Sequence, residues 1–172
     1  LDFLTSDIST IAELLLVKIN QQQRLFIHND YVVAEELREL AADWADRLKE
    51  IWKEEPVPPI QISYHSASLN KKEKYLVYPV CLYYYQRAYY LCAFGQAPTC
   101  LNKNQIQWYN YRLERISKIL KLSWHDNNLP FSSEQIIDHQ KNYSPGYIQS
   151  QLAAAYGFDF YQKPEIMLLR FE

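Results

Sequence analysis

Two arginines, Arg112 and Arg115, are the side chains of this sequence best suited to bind another molecule. They lie in the segment from Tyr109 to Ile116, which reads Tyr-Asn-Tyr-Arg-Leu-Glu-Arg-Ile. If Arg112 ends a strand and Arg115 begins the following turn, the two guanidinium groups converge on one side. Each guanidinium offers five donors in a planar fork that matches a phosphate or a carboxylate. The alternative is an ion pair, with Glu114 or another acid, and both interpretations remain open.

Hydroxyl groups on a second segment, from Ile62 to Ser66, suit the same kind of anion. In a strand, Tyr64 and Ser66 share one face and His65 lies on the other. A single histidine in such a place is more often a surface residue than a catalyst. A third segment contains Tyr89-Tyr90-Leu91, where aromatic side chains are more typical of a packed strand than of a site.

The sequence contains few residues at the spacing that a metal site or a catalytic site requires. Three cysteines, Cys81, Cys92 and Cys100, include no Cys-x-x-Cys pair, so we expect reduced, buried thiols in a cytoplasmic protein. The four histidines are scattered, and only Glu73 and Glu114 are acidic between residues 60 and 124, so no metal site and no cofactor are predicted. Because no nucleophile with a neighbouring base stands out either, we expect a binding protein rather than an enzyme.

Charge is distributed very unevenly along the chain. Residues 60–124, called here the basic segment, hold nine Lys or Arg and two Glu, a net charge of +7. Residues 1–59 carry −6 and residues 125–172 carry −3, so the total of −2 conceals this contrast. Ten of the fifteen tyrosines lie in the basic segment. Cations interleaved with aromatic rings favour an anionic ligand with flat parts, such as a nucleotide or single-stranded nucleic acid.

The elements that position these side chains are predicted from periodicity. Residues 8–27 and 31–53 have apolar residues at helical spacing, and Asp30 is a plausible cap for the second helix. The apolar stripe of that helix either packs on the neighbouring domain or forms the seam of a dimer. Pro56, Pro58 and Pro59 make a stiff linker, after which the period changes to two. The predicted strands are residues 60–65, 74–84, 88–95, 106–112 and 116–124.

Five short strands in so few residues favour a small, strongly bent β-barrel, because closure removes exposed edges. Asn70 and Lys71 mark its first turn and Gln86 and Arg87 its second. Pro79, inside a strand pattern, implies an edge or a bulge. After the barrel we predict a helix over residues 132–142, another from 144 to about 157, and a strand over 165–171.

The chain is thus expected to be α+β, with four parts. They are a helical region (residues 1–55), a Pro-rich linker (56–59), a barrel (60–124), and a helical segment that leads into a C-terminal strand (125–172). No apolar run is long enough to cross a membrane, and no secretory signal begins the chain. Its first residue is Leu, which is consistent with a piece of a longer protein.

The motifs resemble those of WYL domains. Ile-x-Tyr64, Tyr78-Pro-Val, Tyr89-Tyr-Leu and Tyr111-Arg-Leu-Glu-Arg-Ile occur in the order seen in that family, over about residues 60–124. Tyr89 stands where the family usually has Trp. The resemblance implies an Sm-like or SH3-like barrel that senses a ligand, usually in bacterial transcription regulators with an N-terminal winged helix-turn-helix, of which residues 1–59 show no clear sign.

By motif match, the resemblance implies ligand contacts from Tyr64, Ser66, Arg112 and Arg115, with nucleic acid or a nucleotide-like signal as the ligand. The layout also resembles WYL proteins associated with CRISPR antiviral defence in cyanobacteria. Two hypotheses follow: a ligand-sensing regulator, expected to be a homodimer, and a structural module that mediates dimerisation or docking without any ligand.

Overall fold

The fold is given by a computed structural model, which describes residues 18–19, 22–27, 35–67, 69–85, 88–142 and 144–154. Within these ranges the chain is α+β, as expected, with a mainly antiparallel sheet between helices. The helices are α1 (Glu35–Trp52), α2 (Ser133–Asn142) and α3 (Pro145–Ala154). The strands are β1 (Lys18–Ile19), β2 (Gln22–Gln23), β3 (Leu25–Ile27), β4 (Ile60–Ser66), β5 (Lys71–Tyr85), β6 (Ala88–Gly95), β7 (Gln107–Arg112) and β8 (Ile116–Lys121).

The sheet has the order β7-β6-β5-β4-β8, and all neighbours on this path are antiparallel. These are the five strands that the period-two pattern predicts, with ends shifted by a few residues. Among the described residues no pairing joins β7 to β8, so the sheet is open and a closed barrel is not formed. The two outer strands are nevertheless linked directly in the chain by a 3₁₀ turn, Leu113–Arg115.

Pro79 lies in the central strand β5, at a β-bulge. The pairing between β5 and β6 changes register between Pro79 and Cys81, so of the two predicted possibilities, edge and bulge, the bulge is correct. Proline has no N–H to give to a ladder, and a bulge removes that requirement. The free carbonyl of Pro79 accepts a hydrogen bond from Nε1 of Trp52, at 3.0 Å, which fixes the end of α1 to the sheet.

The prediction of a helix over residues 8–27 is wrong wherever those residues are described. Residues 18–19, 22–23 and 25–27 form short strands, and β3 runs parallel to β5 with Leu25 opposite Leu82. The physical reason lies in β5, which is 15 residues long. Strand β4 pairs with only its first half, from Lys71 to Val77, so the same edge stays open further on and β3 fills it. A long-range pairing thus overrides the local helical pattern.

Helix α1 confirms the second predicted helix; residues 31–34 and the proposed cap Asp30 lie outside the described residues. Leu48, Ile51 and Trp52 are buried in the core, whereas Asp46 and Glu50 are exposed. The acidic face carries ion pairs of neighbouring turns, such as Lys49 with Asp46 at 2.8 Å. Such exposed pairs contribute little to stability, so the apolar face is what holds the helix in place.

The two C-terminal helices occur where they are predicted. At the start of α2, Ser132 Oγ accepts from the N–H of Gln135, and Gln135 Oε1 accepts from the N–H of Ser132, a reciprocal capping box. At the start of α3, Ser144 Oγ accepts from the N–H of Tyr147. The predicted end near Gly157 and the predicted strand over residues 165–171 lie outside the described residues.

The three cysteines are free thiols. Cys81 and Cys92 face each other across β5 and β6 and are fully buried, as expected for structural thiols. Cys100 is only partly buried, in the loop before β7. In the part of the chain that the structure describes, no helix has the length and apolar character that spanning a bilayer requires.

Candidate ligand-binding site

Arg112 ends β7, next to the aromatic rings of two neighbouring strands. In the ladder it lies opposite Tyr90 of β6, and Tyr90 lies opposite Tyr83 of β5. The rings of Tyr83 and Tyr90 are stacked, with centroids 5.7 Å apart and planes 17° apart. Side chains at paired positions share a face of the sheet, so Arg112 continues this aromatic row toward the edge.

The 3₁₀ turn after β7 carries the other charged groups. Leu113 is buried and anchors the turn, while Glu114 and Arg115 are partly exposed. Arg112 Nε lies 2.6 Å from Glu114 Oε1, with exposed side-chain fractions of 33% and 26%. The first arginine of the motif therefore has an internal carboxylate partner. Among the ion pairs of the described residues, Arg115 takes part in none.

The pKa of the Tyr90 hydroxyl depends on the charged groups of the 3₁₀ turn. Burial raises its pKa, Arg112 and Arg115 lower it, and Glu114 and Tyr64 raise it further. The charges of Arg112, Arg115 and Glu114 and the phenol of Tyr64 therefore all contribute to the electrostatic environment of the Tyr90 hydroxyl. Both arginines and Glu114 thus act on the same hydroxyl, and the convergence of the two guanidinium groups on one ligand stays a prediction.

Tyr64 and Ser66 lie on the inner face of β4 and are almost completely buried, whereas His65 is exposed, as the alternation predicts. The ring of Tyr64 packs edge-on against Tyr111, with centroids 5.1 Å apart. Ser66 Oγ accepts a hydrogen bond of 3.4 Å from the N–H of Leu69 in the following turn. Both side chains are therefore packed in the interior of the sheet.

Tyr64 belongs to a tyrosine cluster inside the sheet. Its neighbours include Tyr75, Tyr109 and Tyr111, at centroid distances between 5.1 and 6.5 Å. The hydroxyl of Tyr111 donates to the carbonyl of Gln96, and burial raises its pKa far above the usual range. Among the described groups of the site, the charges are those of Arg112, Arg115 and Glu114.

A second group of cations lines the outer face of the same sheet. Ser63 pairs with Lys74 of β5 on one side and with Lys118 of β8 on the other, and His65 pairs with Lys72. The three lysines are exposed. Paired residues point to the same face, so these side chains form a basic surface on the outside of β4, β5 and β8.

This arrangement is suited to bind an anion, with Arg115 as a donor that no carboxylate of the described residues engages. Arg112 adds a second guanidinium once its ion pair with Glu114 is loosened. In the described residues no group of three or more His, Cys, Asp or Glu is arranged to hold a metal ion. The sequence did not indicate Tyr90 as a site residue, because the register that places it opposite Arg112 is a long-range pairing of β6 with β7.

Residues 55–120 match the model of the WYL domain, which confirms the resemblance that the motifs predicted for this segment. No curated protein matches the chain. Among solved structures, the chain is similar to the proteasome accessory factor B/C (PafBC) of Arthrobacter aurescens, with 22% identity and a TM-score of 0.37. That likeness covers 54% of this chain and 13% of the other, and it is too weak to support an argument.

Proposed function

We propose that the WYL domain of this chain is the ligand-sensing part of a regulatory protein and acts by binding rather than catalysis. Its ligand is an anion with flat parts, a nucleotide or a single-stranded nucleic acid. Arg112 and Arg115 bind phosphate, and Tyr64 and Ser66 form the floor beneath them. In this proposal the open sheet serves as the Sm-like or SH3-like barrel that is typical of the family.

One observation carries the proposal: Arg115 lies in the 3₁₀ turn that directly follows Arg112 and has no carboxylate partner among the described residues. The planar fork of an arginine is pre-organised, so it loses little entropy when it binds a phosphate bidentately. The ring of Tyr90, stacked on Tyr83, supplies an aromatic surface close to both guanidinium groups. Phosphate binding next to an aromatic ring is the combination that single-stranded nucleic acid requires.

The lysines on the outer face also favour a negatively charged ligand. Lys72, Lys74 and Lys118 raise the positive potential around the domain and attract a polyanion over a distance. Such lysines do not distinguish one nucleotide sequence from another. We therefore propose that they attract the ligand, whereas Arg115 positions its phosphate group.

Ligand binding would regulate through the elements that flank the domain. We propose that the protein works as a homodimer in the cytoplasm and that the ligand alters its control of transcription or of a CRISPR defence system. A ligand shifts such an equilibrium only by its differential affinity for two states, so the two states must differ at Arg112 or Arg115. The Arg112–Glu114 ion pair is the contact most directly exposed to such a difference.

Fluorescence anisotropy with a labelled single-stranded oligonucleotide, about twelve nucleotides long, tests the proposal. Arg115→Ala is expected to weaken binding about tenfold or more, because a charge-assisted hydrogen bond contributes about 1.5–3 kcal/mol. Lys103→Ala, which removes an equal charge from an exposed loop of the same domain, is the matched control and is expected to bind like wild type. Equal affinity for wild type, Arg115→Ala and the Arg112→Ala, Arg115→Ala double variant would remove the site assignment.

A second function, a docking or dimerisation module without any ligand, is favoured by the ion pair of Arg112 with Glu114. In that case the basic residues neutralise acidic groups of the same protein. The two functions differ in how they should depend on salt concentration. Self-association through apolar packing survives in about 0.5 M salt, whereas phosphate binding weakens steeply with added salt. Sedimentation velocity and anisotropy, measured at low and high salt on the same protein, decide between them.

A further inference from the structure

A cavity of about 290 Å³ lies away from the arginines of the 3₁₀ turn. Four separate parts of the chain form its walls: the segment around β2, the linker after α1, strand β5, and the region from Trp124 into α2. The size is at the lower end of ligand-binding pockets, so it fits a small molecule and not a polymer. The lining residues are Gln22, Arg24, Glu55, Pro56, Val57, Tyr78, Trp124, Ser133, Ile136 and Ile137.

Arg24 is the unusual member of this lining, because it is a charged residue with only 5% of its surface exposed. One terminal nitrogen donates to the carbonyl of Val80 at 2.7 Å, and the other donates to Gln22 Oε1 at 3.1 Å. The guanidinium lies over the ring of Trp52, 5.5 Å from its centroid. These contacts hold the guanidinium in one orientation, but all of its partners are uncharged.

The charge of Arg24 is therefore not neutralised within the described residues. Its Nε is buried and has no hydrogen-bond partner there. Burial lowers the pKa of Arg24, and the neighbouring Tyr78 and Cys81 act in the opposite direction. An arginine nevertheless remains protonated in proteins. A buried cation with an unused donor is costly, and that cost is relieved if an anion enters the cavity.

The other walls suit a planar, apolar group. Trp124 and Tyr78 face each other with ring centroids 6.0 Å apart and an interplanar angle of 36°. Trp124 Nε1 donates to the carbonyl of Val57 at 3.0 Å, which fixes the indole in place. Ile136 is buried beside them, and Ser133 brings the first turn of α2, the positive end of its dipole, to the same cavity.

Glu55 is the only charged residue besides Arg24 in the described lining, and it is exposed. The structure contains no ion pair between the two among its described residues. A carboxylate near the mouth disfavours ligands with several negative charges and accepts hydrogen bonds from a hydroxyl or an ammonium group. The lining therefore favours a single anionic group on a ligand that is otherwise apolar or hydrogen-bond donating.

We propose that this cavity is a second binding site, separate from Arg112 and Arg115, for a small molecule that carries one anionic group on a planar ring. The guanidinium of Arg24 attracts the anionic group, and Trp124 and Tyr78 contact the ring. The site joins the segment before α1 to the helix after the sheet. Its ligand thus stabilises the attachment of both flanks to the domain.

Isothermal titration calorimetry on the full chain tests this site with simple probes. Phenylacetate and phenyl phosphate carry a ring with a carboxylate or with a phosphate, whereas acetate and benzyl alcohol each lack one of the two features. We expect saturable, one-to-one binding of phenylacetate, phenyl phosphate or both, and binding at least about tenfold weaker for acetate and benzyl alcohol. If phenylacetate binds more tightly, the site prefers a carboxylate; if phenyl phosphate does, it prefers a phosphate.

A variant that fills the cavity locates the binding. Ile137 is 52% exposed and lines the cavity, so Ile137→Trp blocks it without removing a core contact. Leu101→Trp adds the same side chain at a position that is 95% exposed and outside the lining, and it is the matched control. We expect a loss of binding of about tenfold or more for Ile137→Trp and none for Leu101→Trp.

Arg24→Lys completes the test, because it keeps the charge but removes the planar fork. It is expected to weaken binding about tenfold, and circular dichroism establishes that the variant is folded. Should neither ring anion bind, or should Ile137→Trp bind them as well as wild type does, the cavity is not the site and Arg24 serves only to attach β3 to β5.

Discussion

Arg112 and Glu114 form an ion pair across the start of the 3₁₀ turn, with Nε and Oε1 2.6 Å apart. The carboxylate occupies the position that a phosphate group of a ligand would take on the same guanidinium. In the proposed site Glu114 thus competes with an anionic ligand for Arg112. We therefore expect the ion pair to lower the affinity of the site for an anion.

Removing the charge of Glu114 is expected to raise the affinity for a single-stranded oligonucleotide. A partly exposed ion pair contributes about 0.2–1 kcal/mol, so Glu114→Gln should tighten binding at most about fivefold. Fluorescence anisotropy measures the change. Glu73→Gln removes a negative charge from an exposed position of β5 and is the matched control. If Glu73→Gln raises the affinity equally, the effect comes from net charge and not from the release of Arg112.

Two glycines provide a matched pair for the stability of the sheet. Gly95 has a φ of +150°, and a Cβ there would lie 2.5 Å from the carbonyl oxygen of Leu76 and 2.8 Å from Cα of Val77. Because both obstacles are backbone atoms, Gly95→Ala is expected to lower the free energy of unfolding by about 2 kcal/mol or more. Gly146, in the first turn of α3, has no atom within 4 Å of such a Cβ.

Gly146→Ala is accordingly expected to leave stability unchanged or to raise it by up to about 1 kcal/mol. Urea denaturation monitored by circular dichroism measures both variants. Equal effects at the two positions would contradict the close approach of β5 to Gly95.

Alkaline pH should destabilise the fold partly through Tyr75. Burial, with Glu73 next in importance, raises the pKa of Tyr75 from 10.0 to about 12. The folded state therefore holds this proton more tightly than the unfolded state does. Its contribution to stability is complete below pH 10.0 and is lost as the pH rises toward about 12.

Tyr75→Phe removes this titration, so its free energy of unfolding should decline less than that of wild type between about pH 9 and pH 11. Urea denaturation at a series of pH values measures the decline. Tyr147→Phe, at an exposed position of α3, is the control and should follow wild type. A decline in Tyr75→Phe as steep as that of wild type would exclude this contribution.

The three thiols should differ in their reactivity toward a disulfide reagent. Burial raises the pKa of Cys92 well above its usual range, with a further contribution from Cys81. Cys100 is partly exposed, although burial also raises its pKa. At about pH 8 the folded protein should therefore react slowly at one thiol, and the unfolded protein rapidly at three. Cys100→Ser should abolish the reaction of the folded protein, and residual labelling would show that the sheet opens.

The strands could be predicted from the sequence because their signals are local. Alternating apolar residues and turn residues determine where each strand ends; Asn70, for example, has a φ of 47°, a conformation that asparagine tolerates well. Helix α1 was predictable for the same reason. The segment before it was not, since β3 forms only because β5 extends beyond β4 and leaves an edge free.

In the candidate site, too, the features that depend on local sequence were predictable and those that depend on distant residues were not. The motif predicted that Arg112 and Arg115 would lie at a strand end and in the turn after it, and the structure places them there. The sequence left an ion pair with Glu114 open as an alternative, and the structure shows that it forms with Arg112, across the start of the 3₁₀ turn. Arg24 carried no signal at all, because its main partner, the carbonyl of Val80, is 56 residues away in the chain.

The contacts of strand β5 determine where a recombinant fragment of this protein can begin. The family match begins at residue 55, yet β3 occupies the second half of one edge of β5, and Trp52 closes the bulge at Pro79. A recombinant piece that starts at residue 55 would expose that edge and leave a hollow where the indole had been. The unit recognised by sequence comparison is thus smaller than the unit that folds, and expression boundaries should be set upstream of Lys18.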